Sequence, residues 1–449
     1  MRLSGTKANS TNQYRGLGDQ LYDLGGARPT LDLNFANNES LVDSVTGKNL
    51  VTHTRASSAT YVDGDGNIQT AAVNVPRFDH DPVTGESLGL LVEEARTNLV
   101  TYSVANIGNG WSNIGGQTPV NLSLNKLGVF NGVRAISNGQ TWQGIQFDNS
   151  SSTYLPQLVA GTTYTITDWW MVGDVNPSNK FYANVKLNGI SGSCRIQKVT
   201  SISDPLDVNS YSITNNPGTH GTISNVQVED AGSNVFKLSY NFVPVNSGAY
   251  LHNIGPLSST PGESVIVLGA QIEEGSFPTS YIPTSGSTVT RATDVASISG
   301  NDFNSFYDQT KGTTFTDAFR KTSVPSGKFP SVAAFTDGTN QNRIVNAWVS
   351  NSAATFLVSN AGVNTVTLHP GTSGTSDTRR RFATAFAINN SACALNGNTP
   401  KIDNNGLLPT IPSLRIGDQF GSHTLNGVIR RITYWPQRLS NDTLQTITK

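Results

Sequence analysis

Charged residues and long apolar runs are both scarce in this sequence of 449 residues. Only 14% of the residues are charged, against about 25% in a typical globular protein. The formal net charge is -1, so the chain lacks the basic excess of a nucleic-acid-binding protein. No run of about 18 apolar residues is present, which excludes a membrane-spanning helix. Residues 1–7 contain no apolar segment, so we expect no signal peptide.

Cysteine is also rare, with Cys194 and Cys393 far apart in the sequence. Two distant cysteines do not make a disulfide framework. We therefore expect two buried free thiols in a protein assembled in a reducing cytoplasm. Metal ligation or nucleophilic catalysis is the alternative, but no Cys-x-x-Cys motif or histidine cluster favours it.

Strand-forming patterns dominate what is present. Apolar residues make up 36% of the chain, and 18 Phe, 13 Tyr and 6 Trp are spread along it with 43 Gly. Apolar residues recur at every second position, which is the period of a half-buried strand. Stripes with this period are Phe236, Leu238, Tyr240 and Phe242; Ile266, Leu268, Ala270 and Ile272; Phe382, Thr384, Phe386 and Ile388; and Val428, Arg430, Ile432 and Tyr434. The predicted fold class is all-β.

The turn chemistry between these stripes favours two β-sandwiches over a βαβ fold. We predict an extended N-terminal arm (1–27), a small β-region (28–103), a jelly-roll-like sandwich (104–284), a linker (285–292) and a lectin-like sandwich (293–449). Two short helices are predicted, one after Asn301 and one after Ser440, which is a candidate N-cap.

Two acidic clusters near the N-terminus are interpreted as turns. Residues 63–67 (DGDGN) resemble the start of a calcium loop, but the twelfth position from Asp63 is Asn74 where such a loop needs Glu. A hairpin turn is favoured instead. Asp79, His80 and Asp81 are neighbours on an extended chain and so point to different sides. We expect Asp81 before Pro82 to open a turn, and we expect no metal site.

Three sets of residues resemble a known group of proteins. Residues 55–63 (RASSATYVD) and 76–99 (PRFDHDPVTGESLGLLVEEARTNL) resemble the shared N-terminal block of modular appendage proteins of tailed bacteriophages, which include tail-fibre proteins. Residues 269–284 (GAQIEEGSFPTSYIPT) and 290–294 (TRATD) resemble the end of their carbohydrate-binding-type jelly roll. Residues 414–417 (LRIG) and 425–440 (LNGVIRRITYWPQRLS) resemble the last strands of a concanavalin- or laminin-G-like sandwich.

This resemblance implies a virion structural protein, assembled in the host cytoplasm. Its expected partners are other tail or capsid proteins and sister subunits, with a trimer favoured. The first hypothesis for its function is a tail-fibre or receptor-binding appendage that attaches to host surface glycan, binding through many shallow contacts multiplied by copy number. The second is a capsid decoration or tail connector that binds no glycan. The third is a depolymerase of host polysaccharide.

No residue pattern supports catalysis. Glu93-Glu94 and Glu273-Glu274 are paired carboxylates, but glycoside hydrolysis needs two carboxylates that converge across a cleft at roughly 5–10 Å. Neighbours on a strand diverge. No Gly-x-Ser-x-Gly elbow is present, and the six His residues are scattered. We therefore expect no enzyme and no cofactor.

Aromatic side chains are the candidate glycan-binding residues. Trp169 and Trp170 are adjacent, so we expect one ring in the core and the other on a face where a sugar can stack. Packing between sheets or subunits is the alternative for both. Trp142 and Tyr154 are further candidates. The triplet Arg379-Arg380-Arg381 is the densest positive patch, for which a solvated strand entry is favoured over a contact with an acidic partner.

Large apolar side chains in the N-terminal arm are the candidate virion-attachment residues. They are Tyr14, Leu17, Leu21, Tyr22 and Leu24. They are too few to form a core of their own, since ordering each residue costs about 1–2 kcal/mol of backbone entropy. We expect them to become ordered on a virion protein or a sister subunit.

Overall fold

The structure is a computed structural model that describes residues 21–22, 24, 26–147, 155–178, 180–198, 205–320, 324, 327–349, 353–371 and 379–449. Nearly all of its regular structure is β, so the predicted all-β class with sandwich architecture is confirmed. Within the described residues, no helix is long and apolar enough to cross a membrane.

The first sandwich is built from strands β8 to β20, which form one six-stranded and one seven-stranded antiparallel sheet. Their bounds are β8 (Trp111–Ile114), β9 (Val120–Lys126), β10 (Phe130–Ile136), β11 (Gly144–Phe147), β12 (Gln157–Leu158), β13 (Tyr164–Val172), β14 (Phe181–Leu187), β15 (Cys194–Lys198), β16 (Tyr211–Thr214), β17 (Gly221–Asp230), β18 (Phe236–Pro244), β19 (Gly248–Pro256) and β20 (Ser264–Glu274). A 3-10 turn, Val208–Ser210, precedes β16. The strand order is β17-β18-β13-β20-β10-β9 in one sheet and β16-β15-β14-β19-β11-β8 in the other, with β12 also on β19.

The second sandwich takes strands from both ends of the chain, and two two-stranded sheets lie outside its layers, one formed by Ala59–Val62 with Ile68–Ala71 and one by Arg96–Asn98 with Val289–Arg291. The N-terminal elements are β1 (Leu31–Leu33), α1 (Phe35–Asn38), β2 (Thr52–Thr54), β3 (Ala59–Val62), β4 (Ile68–Ala71), β5 (Phe78–His80), β6 (Ser87–Val92) and β7 (Arg96–Asn98). The C-terminal elements are β21 (Val289–Arg291), β22 (Val295–Ser299), α2 (Gly300–Asn304), β23 (Lys311–Arg320), β24 (Ser331–Thr336), β25 (Arg343–Trp348), β26 (Ala354–Asn360), β27 (Val363–Leu368), β28 (Arg380–Ala387), β29 (Ser391–Leu395), β30 (Lys401–Asp403), β31 (Ser413–Ile416), β32 (Gly427–Trp435) and α3 (Asn441–Ile447).

The predicted separate β-region at residues 28–103 is therefore wrong. Both β1 and β6 pair with β32, and β5 continues the same sheet in the order β30-β29-β28-β23-β32-β6-β5. On the opposite sheet, β2 pairs with β22 in the order β2-β22-β31-β24-β25-β26-β27. Leu31, Leu33 and Leu90 lie in one core with Phe335 and Ile416. The N-terminal strands cover edges that would otherwise present unpaired backbone groups.

Local predictions of turns and helix ends agree with the structure. β3 and β4 form the predicted hairpin around residues 63–67. The Asp81 carboxylate accepts from the backbone N–H groups of Val83 and Thr84, which makes it the turn opener. Ser440 Oγ accepts from Thr443 N at 3.1 Å and so caps α3. Both cysteines are buried and free, as predicted.

A buried ion network joins three stretches of the sequence, residues 55–63, 76–99 and 290–294. Arg77 contacts Glu93 Oε2 at 2.8 Å and also the Asp294 carboxylate, and Arg291 contacts Glu93 Oε2 at 2.8 Å. Arg55 contacts Asp294 Oδ1 at 2.9 Å. All five side chains are buried. Because these residues are distant in sequence, the network fixes the N-terminal strands to the connection between the two sandwiches.

Candidate functional site

The two adjacent tryptophans are both buried, which corrects the expectation that one ring is exposed. Trp170 lies in the core of the first sandwich, stacked on Phe181 with ring centroids 4.5 Å apart. Trp169 points to the opposite face of the six-stranded sheet, as predicted, but is only 3% exposed. Phe130 and Tyr281 cover its ring at 5.3 Å. Neither side chain offers a stacking surface to a sugar.

Among the predicted glycan-binding residues that the structure describes, Trp142 lies at the surface. It is half-buried in the connection between β10 and β11. Its ring meets Tyr182 edge-on at 5.4 Å, and the Arg195 guanidinium carbon lies 4.3 Å from its ring centroid. Its φ is 68°, a conformation that bulky residues rarely adopt and that costs of the order of 1–3 kcal/mol. Such strain at a surface aromatic points to a functional position.

Alternation along three strands places polar side chains beside Trp142 on the outer face of the seven-stranded sheet. Ala183 and Val185 of β14 point into the core, as do Ile196 of β15 and Ile254 of β19. The residues between them therefore point outward. In register, Asn184 lies opposite both Arg195 and Asn253, while Tyr182 lies opposite Gln197. We call Trp142, Tyr182, Asn184, Arg195 and Asn253 the outer-face cluster.

Several polar atoms of this cluster are buried without a partner. The Tyr182 hydroxyl, Asn184 Oδ1 and Asn253 Oδ1 have no hydrogen-bond partner among the described residues. Tyr182 is 0% exposed, and the two asparagines are about equally buried at 6% and 5%. Burial raises the pKa of Tyr182, so its hydroxyl stays protonated and can donate. Each unsatisfied buried group costs about 1–3 kcal/mol, so a water or ligand that paired with these three atoms would recover that cost.

Two glycines shape the floor next to Tyr182. A Cβ on Gly144 would lie 2.2 Å from the carbonyl oxygen of Ile254 and 2.7 Å from Gly255 Cα. Gly255 is the cross-strand partner of Tyr182. Neither glycine carries a side chain, so backbone alone forms the sheet surface at these two positions next to Tyr182.

The remaining predicted site residues lie elsewhere or outside the described part. Tyr154, Tyr14 and Leu17 lie outside the described residues. Leu21 is 5% exposed and packs in a cluster with Trp435 and Leu444 of its own chain, with Tyr22 and Leu24 at its border. Tyr22 donates to Asp32 Oδ2 at 2.9 Å. Leu21 is thus buried within the subunit in this conformation, and attachment through the arm stays a prediction.

The adjacent carboxylates diverge, as expected. Glu93 belongs to the ion network, whereas Glu94 pairs with Arg96 at 2.7 Å. Glu273 is buried and accepts from Thr279 N at 3.1 Å, while Glu274 is exposed. Within the described ranges, no group of three or more metal-ligating side chains could hold a metal ion.

One acid–base pair was not predicted from the sequence. His252 Nε2 lies 2.7 Å from Asp168 Oδ1, between the two sheets of the first sandwich. Burial alone would lower the pKa of His252, but the Asp168 charge raises it above its usual value. Both side chains are inaccessible to a substrate, with relative exposures of 1% and 0%. The pair therefore bridges the sheets.

Comparisons with known proteins show low similarity. No protein-family model and no curated protein matches the sequence. Among solved structures, the CBM40 of Ruminococcus gnavus IT-sialidase is similar at 14% identity and a TM-score of 0.27, covering 31% of this chain and 83% of that one. The tandem CBM22-1-CBM22-2 domains of Paenibacillus barcinonensis Xyn10C are similar at 8% identity and a TM-score of 0.27, covering 77% of this chain and 99% of that one. Domains LG4-5 of mouse laminin alpha1 are similar at 8% identity and a TM-score of 0.21, covering 74% of this chain and 91% of that one. These scores are too low to support any inference about a ligand.

Proposed function

We propose that this chain binds glycan through the outer-face cluster of its first sandwich. The observation that carries the proposal is the arrangement around Trp142, which is held at positive φ against Tyr182 and Arg195. Saccharides offer C–H faces that stack on aromatic rings, and hydroxyls that pair with amides and guanidinium groups. Trp142 supplies an aromatic ring at the surface, and Arg195, Asn184 and Asn253 supply polar groups at paired positions of the same sheet face.

The biological setting that we propose is a tailed-phage virion, with the chain acting as a receptor-binding appendage. Support comes from the sequence stretches that resemble phage appendage proteins. The buried ion network gives those stretches a physical role, because Arg55, Arg77, Glu93, Arg291 and Asp294 all lie within them. Weak sites of this kind gain avidity when several copies engage one surface. Mass spectrometry of purified phage particles tests this part, and absence of the chain from particles would contradict it.

Glycan binding is tested with an array of bacterial surface polysaccharides and purified full-length protein. The wild type should bind at least one glycan. Trp142→Ala should weaken that binding by about 1–3 kcal/mol, as expected for loss of a stacking anchor. Phe329→Ala is the matched control, because Phe329 is an exposed aromatic of the second sandwich at 45% exposure, and it should leave binding unchanged.

Two outcomes would overturn the proposal. Equal binding by the wild type and Trp142→Ala would remove the outer-face cluster as the site. No binding to any glycan would instead favour a connector or decoration protein that contacts only other virion proteins.

A further inference from the structure

Arg195 differs from most arginines of the described chain in having no carboxylate partner. Arginines that form ion pairs with Asp or Glu are Arg55, Arg77, Arg96, Arg134, Arg291, Arg379, Arg381, Arg415, Arg430 and Arg431. Arg195 instead donates from Nε to Ser193 Oγ at 3.1 Å. No described residue accepts a hydrogen bond from its two terminal NH₂ groups.

The described partners of Arg195 carry no negative charge. Its cross-strand partners are Asn184 and Thr214, and its guanidinium lies on the Trp142 ring. Lys186, two residues beyond Asn184, adds a second cation on the same side of β14. Among the described residues no carboxylate forms an ion pair with Arg195, whereas Arg55, Arg77 and Arg291 of the ion network share Glu93 and Asp294.

The geometry of the guanidinium suits an anion. The guanidinium carbon lies over the Trp142 ring and Nε donates to Ser193, so the two NH₂ groups, which have no acceptor among the described residues, can act as a fork. A guanidinium fork binds a carboxylate through two parallel N–H···O bonds, and such charge-assisted bonds are roughly twice as strong as neutral ones. A single guanidinium matches the single charge of a sugar carboxylate.

We propose that the glycan held by the outer-face cluster is acidic, and that Arg195 binds the carboxylate of a uronic-acid or sialic-acid-type residue. This inference rests on the proposed glycan-binding function and adds the substrate class. Trp142 then contacts both the sugar, on which it stacks, and Arg195, whose guanidinium it orients. A neutral glycan would leave the guanidinium without a counterion.

The test uses full-length protein and an array that pairs acidic glycans with matched neutral forms, either desialylated or carboxyl-reduced. The wild type should bind acidic members and lose at least about tenfold in affinity on the neutral ones. Arg195→Gln should lose a similar factor on the acidic members, and Arg195→Lys should keep part of the affinity. Arg134→Gln is the control, because Arg134 pairs with Asp174 at 2.7 Å outside the cluster.

The outcomes separate this inference from the proposed function. Equal binding of acidic and neutral partners by the wild type would overturn the acidic class while the proposed function stands. Binding confined to phosphorylated glycans would overturn the assignment of a carboxylate as the group that Arg195 binds. Binding to no glycan would overturn the proposed function and this inference with it. The comparison of acidic and neutral ligands uses the wild type alone, so it tests the acidic class of glycan even if Arg195→Gln fails to fold.

Discussion

Glu93→Gln is the substitution that most directly probes how the N-terminal strands are held to the rest of the molecule. Glu93 accepts from Arg77 and Arg291, and its side chain is 7% exposed. Burial alone would raise its pKa, but Arg291, Arg77 and hydrogen bonds from Ser280 outweigh burial and lower the pKa to about 2. Relative to the ordinary value of 4.5, the lowered pKa corresponds to about 3 kcal/mol of stability.

The variant removes one charge, which takes away the ion-pair partner of Arg291 and leaves Arg77 with Asp294 alone. Breaking a buried pair in this way costs about 3–5 kcal/mol, so we expect a loss of at least about 3 kcal/mol in the free energy of unfolding at pH 7. Chemical denaturation followed by tryptophan fluorescence measures it. Glu94→Gln is the matched control, since Glu94 is 38% exposed, and it should cost less than about 1 kcal/mol.

The pH dependence gives a second check on the same residue. A carboxyl whose pKa is lowered by folding contributes its full stability above the unfolded value near 4.5 and loses it as the pH falls toward 2. The wild type should therefore lose more stability than Glu93→Gln between pH 4.5 and pH 2. If the two substitutions at positions 93 and 94 had equal effects, or if the two pH profiles were parallel, the reasoning about the network would be refuted.

Two further predictions concern the sandwiches and one concerns catalysis. Asp168→Asn should lower the free energy of unfolding by about 3–5 kcal/mol near pH 6. Because folding raises the pKa of His252, the ion pair contributes its full stability below pH 6.5 and loses it as the pH rises through the folded pKa. An equal loss of stability at pH 6 and pH 9 in denaturation experiments would contradict this reasoning. Gly89→Ala should lower the midpoint of thermal unfolding, because a Cβ there would lie 2.2 Å from the carbonyl oxygen of Ile429 and φ is 100°. Gly218→Ala is the control, since a Cβ at Gly218 would meet open space. An equal midpoint for both variants would refute the steric argument. No new reducing ends should appear when the protein is incubated with capsular polysaccharide, and their sustained release would establish a depolymerase.

Sequence periodicity predicted the strands well but not their faces throughout. The stripe from Phe236 to Phe242 does line the core of the first sandwich. In β20, however, Ile266 and Leu268 lie on the outer side, while Ala270 and Ile272 lie in the core. A register shift between Trp169 and Trp170, opposite this stretch, switches the face. A bulge depends on the partner strand, so alternation within one strand does not reveal it.

Contacts between distant parts of the chain explain the other differences. Leu31 pairs with Tyr434, and no local pattern specifies that pairing. The placement of residues 28–103 therefore could not be read from composition. The same holds for Trp169, whose opposite orientation to Trp170 was predictable but whose cover by Tyr281 was not.

The candidate site was predicted in part. Trp142 was named from the sequence, whereas Tyr182, Asn184, Arg195 and Asn253 were missed. A signal was present, since residues 181–187 (FYANVKL) alternate apolar and polar side chains. The pairing register of β14 with β15 and β19 was needed to bring the polar positions together.

Hydrogen–deuterium exchange of the full-length protein, with and without the glycan that binds best on the array, tests the central claim most directly. Saturating glycan should slow exchange in β14, β15 and β19 and in the connection that carries Trp142, while the second sandwich is unchanged. Protection confined to the second sandwich, or to residues 28–103, would contradict glycan binding at the outer-face cluster.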